Sequence, residues 1–197
     1  MRIEEEKQSK VWLTVDDVNR LRRVAASRRD ELIIDLGARV GLRAFEIPQA
    51  TPSGVKRTSD GHHYRIHIPE GKDTKHGEGK PRDAYLPESL ERRLHSYARD
   101  EDLNDDDPYI KLSTRGVRAV VKRTAEAAAE EYGNDDWKKV SSHDLRRHFA
   151  QRLLVDEDMN PRVVMDVGGW NSFQAIEPYL NTPTERVINE AFDKVDL

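Results

Sequence analysis

Ser141-Ser-His-Asp-Leu-Arg-Arg-His-Phe-Ala150 places polar residues where a phosphate group could be held. Ser141 can cap a helix with Asp144 at its third position, the spacing of a capping box. His143 and Arg146 lie three apart, so both project from one side of the first turn. The positive end of a helix beside a guanidinium and an imidazole favours an anion such as phosphate. In isolation the same pattern also suits a solvated helix face. A second segment, Ala38-Arg-Val-Gly-Leu-Arg-Ala-Phe-Glu-Ile47, sets Arg43 just after a helix and Glu46 three residues further on. A guanidinium grips phosphate through a planar fork of donors whose charge does not titrate. A nearby carboxylate can hold that fork in place, although an ordinary surface ion pair has the same spacing. A third segment, Val167-Gly-Gly-Trp-Asn-Ser-Phe-Gln-Ala-Ile-Glu-Pro-Tyr179-Leu, carries a tyrosine among Phe173, Ile176 and Leu180. Tyr179 is therefore either an amphipathic core residue or a nucleophile. The chain has no cysteine, so covalent catalysis would fall to a hydroxyl, amine, imidazole or carboxylate.

In chain order, Gly-Leu-Arg-x-x-Glu ending at Glu46, His-x-Leu-Arg ending at Arg146, and Gly-Gly-Trp followed nine residues later by Tyr179 closely resemble the three boxes of the tyrosine recombinase, or phage integrase, family. Ile68-Pro-Glu-Gly-Lys-Asp-Thr74, with Leu86-Pro87 closing the returning strand, resembles the family's sheet turn. The resemblance implies the tyrosine recombinase catalytic-domain fold. It also implies a site-specific DNA recombinase (integrase) that cleaves and rejoins DNA through a 3′-phosphotyrosine intermediate. On that footing Arg43 and Arg146 clamp the scissile phosphate, Tyr179 attacks it, and Lys72 protonates the 5′ leaving oxygen. His143 assists proton transfer, Trp170 donates its indole N–H to the phosphate, and Glu46 supports Arg43. Lys75, Lys80, Arg82, Arg115 and Arg147 are candidate DNA contacts. Neither a metal nor another cofactor is implied. The expected partners are double-stranded DNA and further copies of the chain, a tetramer on DNA.

The sequence departs from the family pattern at Arg147 and His148, where a histidine and then a small or hydroxylic residue are usual. Lys75 and Lys80 share the turn of Lys72 and compete for its role. A type IB-like topoisomerase and a non-catalytic DNA-binding relative are the alternatives. The tail favours recombination: Thr182 and Glu185 form a capping box around Pro183, and Val187, Ile188, Ala191 and Phe192 give the following helix an apolar face that could dock on a neighbouring protomer.

The elements that must position these residues are read from periodicity. Residues 1–10 are charged and apolar-poor, which suits a flexible tail. Thr14-Val-Asp-Asp17 opens a first helix, and a second runs from about Arg29 to Val40, with Gly41 as its stop signal. Short extended pieces follow at Phe45 to Ala50, Tyr64 to Ile68 and Ala84 to Leu86, separated by glycine-rich turns. Helical patterns return near residues 88–99, 114–132, 143–155, 161–167, 173–180 and 184–192, while 133–139 reads as a loop. The expected fold class is mixed α/β, mostly helical, with a small three-stranded antiparallel sheet. A catalytic domain over residues 11–184 and a C-terminal helix or tail over 185–197 complete the organisation.

Composition constrains partners more weakly. The net charge of −4 argues mildly against nucleic acid, which calls for a basic face. Acidic residues gather at 4–6, 100–107 and 156–158, however, and basic ones around 20–29, 72–82, 115–123 and 146–152, so charge can be segregated. The absence of a signal-peptide stretch or an apolar span suits a soluble, cytoplasmic protein.

Overall fold

The first helix begins where its capping box requires. In a computed structural model that describes residues 1–4, 10–70, 81–179 and 192–193, Thr14 Oγ1 accepts from the Asp17 N–H at 3.2 Å, and the Thr14 N–H donates to Asp17 Oδ2 at 2.9 Å. α1 (Val15–Arg23) follows, then α2 (Arg28–Arg39), capped by Ser27. Leu32, Ile33, Leu36 and Val40, which recur at helical spacing, are buried, and Ile34 and Ala38 are buried with them. Burial spreads beyond one stripe because α2 is central, packing against α1, α3 (Glu88–Asp100), α4 (Thr114–Tyr132) and α5 (Ser142–Gln151). Gly37 lets α5 approach closely, since a Cβ there would lie 3.0 Å from Leu145.

The three-stranded antiparallel sheet is present, in the order β3 (Val55–Arg57), β4 (Tyr64–Ile68), β5 (Arg82–Leu86). Its register sets Ile66 opposite Val55 and Ala84, and Ile66, Ile68, Ala84 and Leu86 are completely buried on its inner face. The strand expected at Phe45 to Ala50 is instead a turn with a 3₁₀ segment at Ile47–Gln49. Pro48 has no N–H for a ladder, and the Glu46 and Ile47 N–H groups both donate to the Arg43 carbonyl. The segment expected as a loop at 133–139 contains a 3₁₀ helix, Asp135–Lys139, anchored by the buried Trp137.

The start of the chain also differs from expectation. Arg2–Glu4 forms β1, which pairs antiparallel with β2 (Lys10–Trp12) and sets Ile3 opposite Val11. A charged tail becomes a strand here because Val11 and Trp12 are core residues that hold the partner strand in place. After α5 the backbone continues as a π-helical turn, Arg152–Asp156, into α6 (Pro161–Gly168) and α7 (Phe173–Ile176), and a 3₁₀ turn carries Tyr179. A large core lies under α1–α4 and the three-stranded sheet. A second gathers Trp12, Phe149, Ala150, Leu154, Val164, Trp170, Ile176 and Tyr179. The helix expected at 184–192 lies outside the described residues except for Phe192. Among the described residues no helix is long and apolar enough to cross a membrane.

Candidate active site

The capping box that opens α5 is formed: the Ser141 N–H and hydroxyl both donate to Asp144 Oδ2, at 2.9 and 2.6 Å. The other oxygen, Oδ1, receives the Val11 N–H at 3.1 Å and pairs with Arg147. The helix start is thus tied to β2, and its first turn carries His143 and Arg146 into a cleft of about 760 Å³. Arg43, Arg118 and Lys122 line the same cleft, and among the described residues no carboxylate does. This local concentration of cations answers the objection raised by the net charge.

Three arginines from different elements converge on successive carbonyls at the end of α6. Arg82 donates to Val167 O at 2.8 Å, Arg146 to Gly168 O at 2.7 Å, and Arg43 to Gly169 O at 2.9 Å. Arg146 also donates to Gly41 O. Carbonyls at a helix C-terminus are the negative end of its dipole, so this pole orients cations. The Gly-Gly-Trp sequence is what permits the convergence. Gly169 is left-handed at φ +67, and a Cβ on it would lie 2.5 Å from Arg82 Cδ, whereas a Cβ on Gly168 would lie 1.9 Å from the Trp170 ring.

Glu46 is completely buried and divides its carboxylate between Arg43 Nη1 at 2.6 Å and Arg82 Nη2 at 2.8 Å. Burial works to raise its pKa, but Arg82 and Arg43 outweigh this and hold it below the ordinary glutamate value. Arg146 is only 2% exposed. Burial and then the charge of Arg43 push its pKa well down, against the pull of Glu46. Three guanidinium groups around one carboxylate leave a local excess of positive charge, which an entering phosphate would neutralise. His143 stands at the cleft edge. Burial and then the charge of Arg147 hold its pKa below the ordinary imidazole value, against the pull of Asp144.

The Arg146 guanidinium lies over the Trp170 ring, 3.9 Å from its centroid. Trp170 stacks on Phe149 and meets Tyr179 edge-on at 5.9 Å. Tyr179 is 9% exposed. The structure therefore brings together Arg43, Glu46, His143, Arg146, Trp170 and Tyr179, drawn from the three sequence boxes.

Two expected DNA contacts are turned inward. Arg82 is bound to Glu46 and to the Val167 carbonyl, with a side chain only 7% exposed. Arg147 is buried on Asp144 and the Val11 carbonyl. Arg82 Nη1 and Nη2 and Arg147 Nη1 are engaged by protein, and neither side chain lines the cleft as Arg146 does, which removes the reason for reading them as surface cations. Arg115 is exposed on α4 and stands on the helical face of Arg118 and Lys122, both of which sequence reasoning passed over. The spacing of these three, i, i+3 and i+7, was the available signal. Lys72, Lys75 and Lys80 lie outside the described residues. Among those described, no cluster of three or more His, Asp or Glu side chains could hold a metal ion.

The phage integrase family model matches residues 11–186. Tyrosine recombinase XerA of Pyrococcus furiosus is 27% identical over 189 residues, covering 94% of this chain and 62% of that protein. Tyrosine recombinase XerA of Pyrococcus horikoshii is 25% identical over 187 residues, covering 94% and 61%. The chain thus spans less than two thirds of the length of these relatives. Among solved structures, that of XerA recombinase superposes with a TM-score of 0.67 at 20% identity, over 97% of this chain and 65% of the other. The Tn1549 transposon integrase in complex with a circular intermediate DNA gives a TM-score of 0.74 at 16% identity, over 98% and 68%. Both likenesses are of fold.

Proposed function

Because the chain belongs to the phage integrase family, we propose that it is a site-specific DNA recombinase that cleaves and rejoins DNA through a 3′-phosphotyrosine on Tyr179. The observation that carries this reading is the convergence of Arg43, His143 and Arg146 on one cleft that they line with Arg118 and Lys122, with Tyr179 packed on the Trp170 ring that supports Arg146. A phenol of ordinary pKa about 10 is a weak nucleophile near neutrality, so cationic surroundings must favour the phenolate as it forms. Arg43 and Arg146 supply that field and hold the non-bridging oxygens. The tyrosyl ester conserves the energy of the broken bond, and rejoining needs no nucleotide.

In this mechanism Glu46 fixes Arg43, His143 takes part in proton transfer at the nucleophile, and Lys72 protonates the leaving 5′ oxygen. Trp170 supports the clamp and donates to the phosphate. Arg115, Arg118 and Lys122 contact the DNA backbone along the exposed face of α4. The catalytic domain spans residues 11–184, and double-stranded DNA is its substrate.

A further observation supports assembly. A second groove, of about 780 Å³, is lined by Val15, Val18, Phe149 and Val163 together with Arg22, Arg39, Arg65 and Arg152. The tail beyond Thr184 carries apolar Val187, Ile188, Ala191 and Phe192 and a net negative charge, with Glu185, Glu190, Asp193 and Asp196 against Arg186 and Lys194. We assign this tail to the groove of a neighbouring protomer, linking a tetramer on DNA. A topoisomerase acting as a monomer would have no use for that complementarity.

The deciding experiment is trapping on a nicked suicide duplex. Wild-type protein should form a covalent adduct mapped to Tyr179, and Tyr179→Phe should bind the duplex with no adduct. An adduct retained by Tyr179→Phe would reject the assignment.

A further inference from the structure

Tyr179 is carried by a 3₁₀ turn after α7, a helix of four residues. An element this short cannot fix a side chain through its own backbone hydrogen bonds, so the direction of the phenol must be set by what packs on its ring. Two tryptophans do so. Trp170 meets it edge-on at 5.9 Å, and Trp12, from β2 at the other end of the chain, meets it edge-on at 6.4 Å. T-shaped contact is a preferred arrangement for aromatic pairs, because the positive edge of one ring faces the negative face of the other.

Each tryptophan in turn meets one of two consecutive arginines of α5. The Arg146 guanidinium lies over Trp170 at 3.9 Å and that of Arg147 lies 5.5 Å from the Trp12 centroid, where Arg2 of β1 also stands at 5.1 Å. Arg147 is fixed by Asp144 and the Val11 carbonyl, and Asp144 caps the turn that bears His143 and Arg146. The phosphate clamp and the seat of the tyrosine therefore share one helix, and Trp12 adds a second ring contact to that seat. Arg147 departs from the usual family pattern, and the cation it places here stands near this ring.

We propose that Trp12 is a positioning residue for strand cleavage: its ring, flanked by Arg2 and Arg147, sets the Tyr179 side chain against Trp170 so that the phenol is directed at the phosphate on Arg43 and Arg146. This rests on Tyr179 being the nucleophile. The role belongs to the ring and not to its N–H, because the buried Trp12 Nε1 has no hydrogen-bond partner among the described residues and is a desolvation cost that a phenylalanine would not carry.

The test compares Trp12→Ala, Trp12→Leu and Trp12→Phe with wild type in single-turnover cleavage of a suicide duplex at saturating protein, alongside duplex affinity. Displacing a reacting group by about 1 Å can cost on the order of 100-fold. Trp12→Ala and Trp12→Leu should cleave at least about 10-fold more slowly with affinity within about two-fold of wild type, and Trp12→Phe should recover most of the rate. Should Trp12→Ala fail to fold, Trp12→Leu, which keeps apolar bulk without a ring, carries the comparison with Trp12→Phe. Wild-type or faster cleavage by Trp12→Leu would overturn the proposal, as would Trp12→Phe cleaving as slowly as Trp12→Leu, or loss of affinity in step with rate. Tyr179→Phe is run in parallel. An adduct from that variant rejects the nucleophile itself, whereas a normal rate from Trp12→Leu with no adduct from Tyr179→Phe rejects only the role of Trp12.

Discussion

Arg82 donates from Nη2 to Oε2 of Glu46 at 2.8 Å, and the other carboxylate oxygen receives Arg43 at 2.6 Å. β5 is thereby joined to the residue that holds the proposed clamp, at the strand end that follows residues 71–80, Lys72 among them, in the sequence. Replacing one partner of a buried, hydrogen-bonded ion pair costs about 3–5 kcal/mol. Arg82→Met should therefore lower stability by that order and slow cleavage, yet leave the salt dependence of DNA affinity unchanged. A residue that contacts phosphate would instead reduce the slope of log affinity against log salt by about one. Denaturant titration and affinity measured over a salt series separate the two roles.

Arg43→Lys and Arg146→Lys keep the charge and lose the fork. Arg146 reaches the Gly41 and Gly168 carbonyls together, a geometry an ammonium on a single stem does not reproduce. Each variant should cut single-turnover cleavage by about 100-fold or more, the scale seen when one preorganised transition-state donor is removed. Near-normal rates from both would show that they are not the clamp. Cleavage should persist in EDTA, since the two guanidinium groups supply the stabilisation.

Gly169→Ala tests the turn on which three arginines converge. At φ +67 an alanine carries a left-handed penalty of about 1–2 kcal/mol. Its methyl group would also press on Arg82. The expected result is lower stability together with slower cleavage. Unchanged cleavage at reduced stability would separate the turn from the clamp.

Protonation should destabilise the fold through the buried imidazole of His148. Burial, first among the causes, lowers its pKa below 6.5, and its Nδ1 lies 2.8 Å from the Leu13 carbonyl. The unfolded chain then binds more protons than the native one between the folded and unfolded pKa values. The stabilising contribution is complete above pH 6.5 and is lost as pH falls through the folded value. Thermal unfolding measured from about pH 8 to pH 5 should show the decline, and His148→Gln should flatten it. A melting temperature independent of pH across that window would contradict the burial argument.

Lys72 can be separated from Lys75 and Lys80 by its leaving group. Lys72→Ala should cripple cleavage of ordinary DNA and recover on a 5′-bridging phosphorothiolate, whose sulfur leaves without a proton. Lys75→Ala and Lys80→Ala should weaken binding and lower its salt dependence. Rescue confined to one of those two variants would move the acid to that residue.

Local sequence was enough wherever the governing interaction is local. The capping boxes at Thr14 and Ser141, the alternation of Tyr64 to Ile68 and the bounds of α4 follow from neighbours a few residues apart, and so does the placing of His143 and Arg146 on one turn. The three boxes likewise marked Arg43, Glu46 and Trp170, because spacing along a short motif survives folding unchanged. Tertiary structure decided what depends on residues distant in the chain. Arg82 and Arg147 read as surface cations until Glu46 is brought beside the first and the Val11 carbonyl beside the second, since burying a guanidinium is tolerable only once enough acceptors are in place. β1 forms because Val11 and Trp12 are buried by elements far along the chain, and Trp12 meets Tyr179 only when β2 lies against α5. The Gly168–Gly169 turn was legible as a turn. That its carbonyls gather three guanidinium groups was not, because the dipole of α6 acts on whatever the fold carries to its end.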